Sequence, residues 1–181
     1  MSLSHLDRWL PQPAIRTHHR RAAAADADEL WQAALEVRLS DTRALGGLIR
    51  WRIPGTAADQ SFEELFQAYP FTVLEQDRHL LVSGLCGRIW TMARDYPSLE
   101  GPDGFRDWHE AGTVRVLFGH WIAPCSDGRV ELVSEARVQP VDDAAALRLR
   151  MLWKVVGPFE RLVGADALTA AVRRVDRDRP H

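Results

Sequence analysis

At 181 residues the chain is about one compact domain long, and a chain of that size buries roughly 70% of its unfolded surface. A hydrophobic content of 46% with 27% charged residues excludes an intrinsically disordered protein. The formal net charge of -2 supplies no overall field to recruit nucleic acid or an anionic membrane.

The first dozen residues end in Pro11-Gln12-Pro13 and read as an extended lead-in, residues 1–12. In residues 14–21 the polar side chains Arg16, His18, His19, Arg20 and Arg21 fall on both faces, the pattern of an edge strand. Neighbouring strand residues point to opposite faces, so His18 and His19 cannot chelate a metal together. Asp26 and Glu29 have capping-box spacing, and Leu30, Trp31, Ala34 and Leu35 continue as the apolar stripe of a helix to about Arg38. Ser40 or Asp41 starts a second short helix carrying Leu45, Leu48 and Ile49, which Pro54-Gly55 ends. Ser61 with Glu64 repeats the capping box and opens a two-turn helix to about Ala68.

From Phe71 the period changes to that of strands. Residues 71–75 and 79–86 read as two antiparallel strands joined near Gln76-Asp77-Arg78, and 96–104 as irregular. Residues 112–123 and 129–141 form a further hairpin around Ser126-Asp127-Gly128. Asp142-Asp143 caps a helix to about Val156, where Gly157-Pro158 is expected to break or kink it. Helix resumes after Gly164-Ala165-Asp166 and ends in a charged tail, residues 176–181. Strands grouped between helices make this an α+β domain over residues 13–175, and Gly46-Gly47, with no strand feeding it, is not a phosphate cradle.

Two cysteines, Cys86 and Cys125, are too few for a disulfide scaffold and lack zinc-site spacing; two unpaired thiols are expected, with no metal and no cofactor. All but one of the 23 basic residues are arginine, the exception being Lys154, a bias of codon usage more than of phosphate binding. The longest apolar runs fall short of the roughly 18 residues of a membrane span. Residues 1–10 carry Asp7 and Arg8 and no apolar run, so they do not read as a secretory signal, and a cytoplasmic protein is expected.

The second hairpin carries the chemistry. Val114, Val116, Phe118, His120 and Ile122 share one face of its first strand, all apolar except His120. On its second strand Val130, Leu132, Ser134, Ala136 and Val138 share a face, against Glu131, Val133, Glu135, Arg137 and Gln139 on the other. A three-residue loop with Gly128 in the left-handed position pairs Cys125 with Arg129, Ile122 with Leu132, His120 with Ser134 and Phe118 with Ala136. A two-residue turn would mate the apolar face with the charged one. The inner face then holds large residues, small residues and one imidazole: the lining of a ligand pocket, or a solid core in which His120 bonds Ser134 or a carbonyl. The face bearing Glu135 and Arg137 is expected to meet water.

These features resemble the START-like or SRPBCC superfamily, the helix-grip group of polyketide cyclase/dehydrase and lipid-transport proteins. The resemblance rests on the strand leading to Asp26-Ala27-Asp28-Glu29-Leu30-Trp31 and on the strand Leu81-Val82-Ser83-Gly84-Leu85-Cys86-Gly87-Arg88-Ile89-Trp90. It extends to Glu135-Ala136-Arg137-Val138 and to Leu152-Trp153-Lys154-Val155-Val156-Gly157-Pro158-Phe159. It implies a curved antiparallel sheet wrapped around a long C-terminal helix, with short helices after the first strand and an apolar cavity between. The Gly157-Pro158 break departs from the group's uninterrupted helix and bears on the cavity's depth and mouth. The resemblance further sets Leu147, Met151, Leu152 and Val155 against the sheet and adds Arg88, Trp90 and Met151 to Phe118, His120 and Ser134 as ligand-binding residues.

Three functions fit. The first is a carrier or sensor that binds a lipid- or polyketide-like apolar molecule, held by area burial at about 25 cal/mol per Å² and oriented by His120 and Ser134. The second is a cyclase or dehydratase on the same fold with His120 as general base, although no second acid falls on the inner face. The third is a partner-binding module with a filled core that uses Trp108 and Trp121 on its surface. The partner of the first is an apolar small molecule, and neither nucleic acid nor a membrane span is expected. Monomer and homodimer both fit.

Overall fold

The computed structural model of the chain describes residues 5–42, 57–91 and 96–178, with 5, 158–164 and 178 described by backbone alone. Five strands, β1 (Ile15–Ala23), β2 (Thr72–Asp77), β3 (Leu80–Gly87), β4 (Val114–Pro124) and β5 (Val130–Pro140), form one curved antiparallel sheet in the order β1-β5-β4-β3-β2. The described helices are α1 (Ala27–Leu35), α2 (Phe62–Gln67), α3 (Gly101–Arg106), α4 (Asp143–Gly164) and α5 (Asp166–Asp178). β1 is an edge strand, as its arginines and histidines predict.

The local signals act as their chemistry requires. The Asp26 side chain accepts from Glu29 N at 2.8 Å to start α1, and Ser61 and Glu64 bond reciprocally at 3.2 and 2.8 Å to start α2. The β4–β5 loop has Gly128 at φ 81° and Cys125 N bonded to Arg129 O at 2.8 Å. The pairings Ile122 with Leu132, His120 with Ser134 and Phe118 with Ala136 follow. Asp142 accepts from Ala145 N at 2.7 Å and from Gly112 N at 2.6 Å. It thereby caps α4 and ties it to the start of β4, and these backbone donors hold its carboxyl below the usual range. Cys86 and Cys125 are unpaired thiols.

Three expectations change, and a fourth lies outside the described residues. A single helix, α4, passes through Gly157-Pro158, and the interruption comes at Ala165 instead. Proline removes the donor for the carbonyl four residues back, that of Lys154, which lies on the exposed side of the helix where water can serve it. The stretch 96–104, expected irregular, runs from Gly101 into α3, whose Pro102 is preset for a first helical turn. The helix expected through Leu45, Leu48 and Ile49 lies outside the described residues, beyond a 3-10 turn at Leu39–Asp41. The lead-in is not merely extended: His5–Arg8 is a 3-10 turn, and Leu6, Trp9 and Leu10 are buried.

That last change gives the sheet two covered faces. On the inner face α1, α2, α4 and α5 enclose a cluster that includes Leu30, Trp31, Phe66, Leu81, Val116, Leu132, Leu149 and Leu168. On the outer face the N-terminal turn and α3 enclose Leu6, Trp9, Leu10, Leu74, Val82, Cys86, Phe105 and Leu117. Glu135 and Arg137, expected in water, are each only 1% exposed there. Burial in this layer pushes the Cys86 thiol up to about 12, which removes it as a nucleophile at neutral pH.

Two glycines make the outer layer fit. A Cβ on Gly119 would stand 2.6 Å from Leu6 Cδ2, and one on Gly84 would stand 2.6 Å from the Phe105 ring. Gly84→Val is therefore expected to cost about 1–3 kcal/mol by overpacking α3 against the sheet. Urea unfolding checks this, and an unchanged midpoint would mean that α3 is not held against β3.

Candidate ligand-binding site

The inner face is built around an imidazole among phenylalanines. The capping box at Ser61 fixes the start of α2, which sets Phe62 and Phe66 one turn apart on one side of the helix. Ser83 on β3 donates its hydroxyl to Phe66 O at 2.9 Å and pins the end of α2 to the sheet. The Phe66 ring then lies 4.7 Å from the His120 ring, 5.4 Å from Phe118 and 5.1 Å from Phe71. Phe62 meets His120 nearly perpendicular, at 86° and 6.4 Å.

His120 Nε2 is closed off from solvent and has no hydrogen-bond partner among the described residues, although the residue as a whole is only half-buried. Neither Ser134 nor a carbonyl satisfies this nitrogen. Burial pushes the imidazole pKa down to about 4, so the ring is neutral at ordinary pH. A buried polar atom left unpaired costs about 1–3 kcal/mol, an expense a core residue has no reason to bear.

The register adds a residue that the sequence reading missed. Ser134 pairs with His120 on one side and with His19 of β1 on the other, so His19, Ser134 and His120 share one row of the inner face. At about 4.8 Å per strand the two histidines stand roughly 10 Å apart across Ser134. The next row carries Thr17, Ala136, Phe118 and Ser83. His18, its neighbour in sequence, points to the outer face, 6.3 Å from the Trp121 ring.

The structure brings Phe118, His120 and Ser134 together, and Trp90 packs half-buried against the same inner cluster beneath Arg148. The remaining two expected residues lie elsewhere. Arg88 is at the surface, paired with Glu110 at 3.4 Å. Met151 is 64% exposed on the outside of α4 and does not wall the sheet. Leu147 and Val155 are likewise exposed, because α4 turns Ala145 and Leu149 inward instead. Phe62, Phe66 and Phe71 join the same cluster. Phe62 and Phe66 were signalled by their four-residue spacing directly after the capping box.

A separate, open hollow of about 670 Å³ is lined by Glu36, Arg38, Asp59, Gln60, Ser61, Glu64 and Arg174, without His120. Its charges partly satisfy each other, as in Arg174 with Glu36 at 2.8 Å. Among the described residues no group of three or more His, Cys, Asp or Glu could hold a metal ion, and no helix is long and apolar enough to cross a membrane.

No family model matches the sequence, and no curated protein is significantly similar to it. Solved structures similar to this chain include the hypothetical protein jhp0584 from Helicobacter pylori, 12% identical, covering 99% of this chain and 97% of that one, with a TM-score of 0.41. The Zhui aromatase/cyclase from Streptomyces sp. R1128 is 17% identical over 90% of this chain and 94% of its own, with a TM-score of 0.35. Ara h 8.0201 is 11% identical over 91% of this chain and 99% of its own, with a TM-score of 0.29. The chain's own fold is α+β, with one curved antiparallel sheet, short helices after the first strand, and C-terminal helices across the inner face.

Proposed function

We propose that the inner face of the sheet binds an uncharged, largely apolar small molecule with aromatic character. The observation that carries this reading is His120 Nε2, buried and unpartnered among phenylalanine rings. The rings supply stacking and edge contacts, and Nε2 of the neutral imidazole offers one hydrogen bond, as donor or acceptor according to tautomer, so a hydroxyl, or a carbonyl if Nε2 carries the proton, would satisfy it. A carboxylate or ammonium would enter at the full desolvation penalty with no opposite charge in the aromatic cluster. Carriage or sensing is favoured over catalysis. An imidazole held near 4 is a weaker base than a free one, and Glu135 lies buried on the opposite face of the sheet. A filled partner module is disfavoured because Trp108 and Trp121 are half-buried against the outer cluster, with Trp108 Nε1 donating to Thr113 at 2.9 Å.

Native mass spectrometry of the protein as purified from cells tests the proposal. The expected result is an added mass on the order of a few hundred daltons that is lost on denaturation. Titration with an apolar fluorescent dye is expected to be competitive with that molecule. His120→Leu is expected to weaken the molecule's binding about 3- to 10-fold, the worth of one neutral hydrogen bond. No added mass together with no dye response would overturn the reading.

A further inference from the structure

Helix α4 is apolar on two opposite sides. Ala145 and Leu149 are buried against the sheet, with Leu152 and Val156 half-buried beside them. On the opposite side Leu147, Met151 and Val155 are 54%, 64% and 68% exposed. Spaced four apart, these three make a single continuous ridge about 12 Å long. Basic residues border it on both sides, with Arg148 on one and Arg150 and Lys154 on the other, all exposed. Arg148 lies over the Trp90 ring at 5.9 Å, and among the described residues no carboxylate pairs with Arg150 or Lys154.

The charge pattern selects the occupant. A second copy of the chain would bring the same two rows, so antiparallel pairing about Met151 sets Arg150 and Lys154 against their own equivalents. Parallel pairing sets them against Arg148. Both are like-charge contacts. A lipid surface suits a broad apolar face with aromatic anchors, whereas this ridge is one residue wide, spans about 80° of the helix and contains no aromatic. An i±4 ridge instead fits the groove of another helix, and basic rows on both sides call for acidic rows opposite.

We infer that the outer face of α4 is a docking surface for an acidic amphipathic helix of a partner protein. The apolar seam of that helix takes Leu147, Met151 and Val155, and its flanking carboxylates meet Arg148, Arg150 and Lys154. The inference is independent of the inner-face site and of its ligand.

The test is fluorescence anisotropy of the full chain with two synthetic helical peptides. Both carry the same leucine stripe, flanked by glutamate in one and by lysine in the other. The expected result is saturable, salt-sensitive binding of the glutamate peptide alone. Met151→Glu should weaken it about tenfold or more, as loss of a central anchor does. The double variant Arg150→Glu/Lys154→Glu should transfer preference to the lysine peptide. All of these positions are exposed, so the thermal midpoint should hold, and His120→Leu should leave peptide binding unchanged. Three results would overturn the inference: no saturable binding of the glutamate peptide, equal binding by Met151→Glu, or equal binding of both peptides. Co-sedimentation with phosphatidylserine vesicles that Met151→Glu abolishes would give the face to lipid instead. A concentration-dependent dimer lost in the same variant would give it to a second copy.

Discussion

Arg137→Ala is expected to destabilise the protein by about 3–5 kcal/mol, measured as the urea unfolding free energy. The guanidinium is buried on the outer face, where Nε donates to Glu135 Oε1 at 2.5 Å and Nη1 to Asp7 Oδ1 at 2.7 Å and to Leu10 O at 2.6 Å. Glu135 completes the chain of charges through Arg16 at 2.9 Å. Removing Arg137 leaves a 1%-exposed carboxylate whose remaining partner is a half-exposed arginine, and it removes the turn's bonds from Asp7 and Leu10 to β5, leaving Trp9 Nε1 on Glu75 at 3.3 Å. Nη2 of Arg137 has no partner among the described residues, so the network carries a cost even when intact. The double replacement Glu135→Leu/Arg137→Met removes both charges together and should cost distinctly less than Arg137→Ala alone. A single variant no worse than the double would mean that the pair is not buried as described. Limited proteolysis supplies a second readout, because cleavage near Leu10 should quicken in Arg137→Ala.

His120→Leu should do the opposite and raise the stability of the ligand-free protein by about 1–3 kcal/mol at neutral pH, since it removes an unpaired buried nitrogen. The effect should grow in acid. An unfolded imidazole takes up a proton near pH 6.5, while the native one, held near 4 by burial, refuses it. The unfolded state therefore binds more protons across that window, and the native state loses stability as pH falls through it, by about 3 kcal/mol at the acid end. The leucine variant has no such loss, and other titrating groups are common to both proteins. The difference between the two stability–pH curves thus isolates His120. Parallel curves would show that the imidazole is solvated and would remove the main support for the ligand reading.

How much of this was legible in the sequence depends on how far apart the partners lie. The β4–β5 register was readable because a three-residue loop and an alternating pattern settle it within about 25 residues, and that placed His120 opposite Ser134. The capping box at Ser61 was readable for the same reason. The role of His19 was not, because it needs the pairing of β1 with β5, more than 110 positions away. Glu135 and Arg137 alternate with small apolar residues as a solvated face would, and nothing local reveals that Asp7 and Leu10 come to cover them. On α4 the apolar residues on both sides made either one a candidate for the core. The sheet takes the side bearing Ala145 and Leu149, which the hydrophobic period alone does not choose.

The strap across the outer face also dictates an order of assembly. Asp7 and Leu10 can reach Arg137 only after β5 has been made and paired, a closure over 130 and 127 residues. A chain emerging from the ribosome therefore carries Asp7 and Leu10 without their Arg137 partner until β5 has emerged, and contacts of such sequence separation form slowly. This segment emerges before β5 yet can lock onto Arg137 only after it, and its docking covers Gly119 and the buried ion pair.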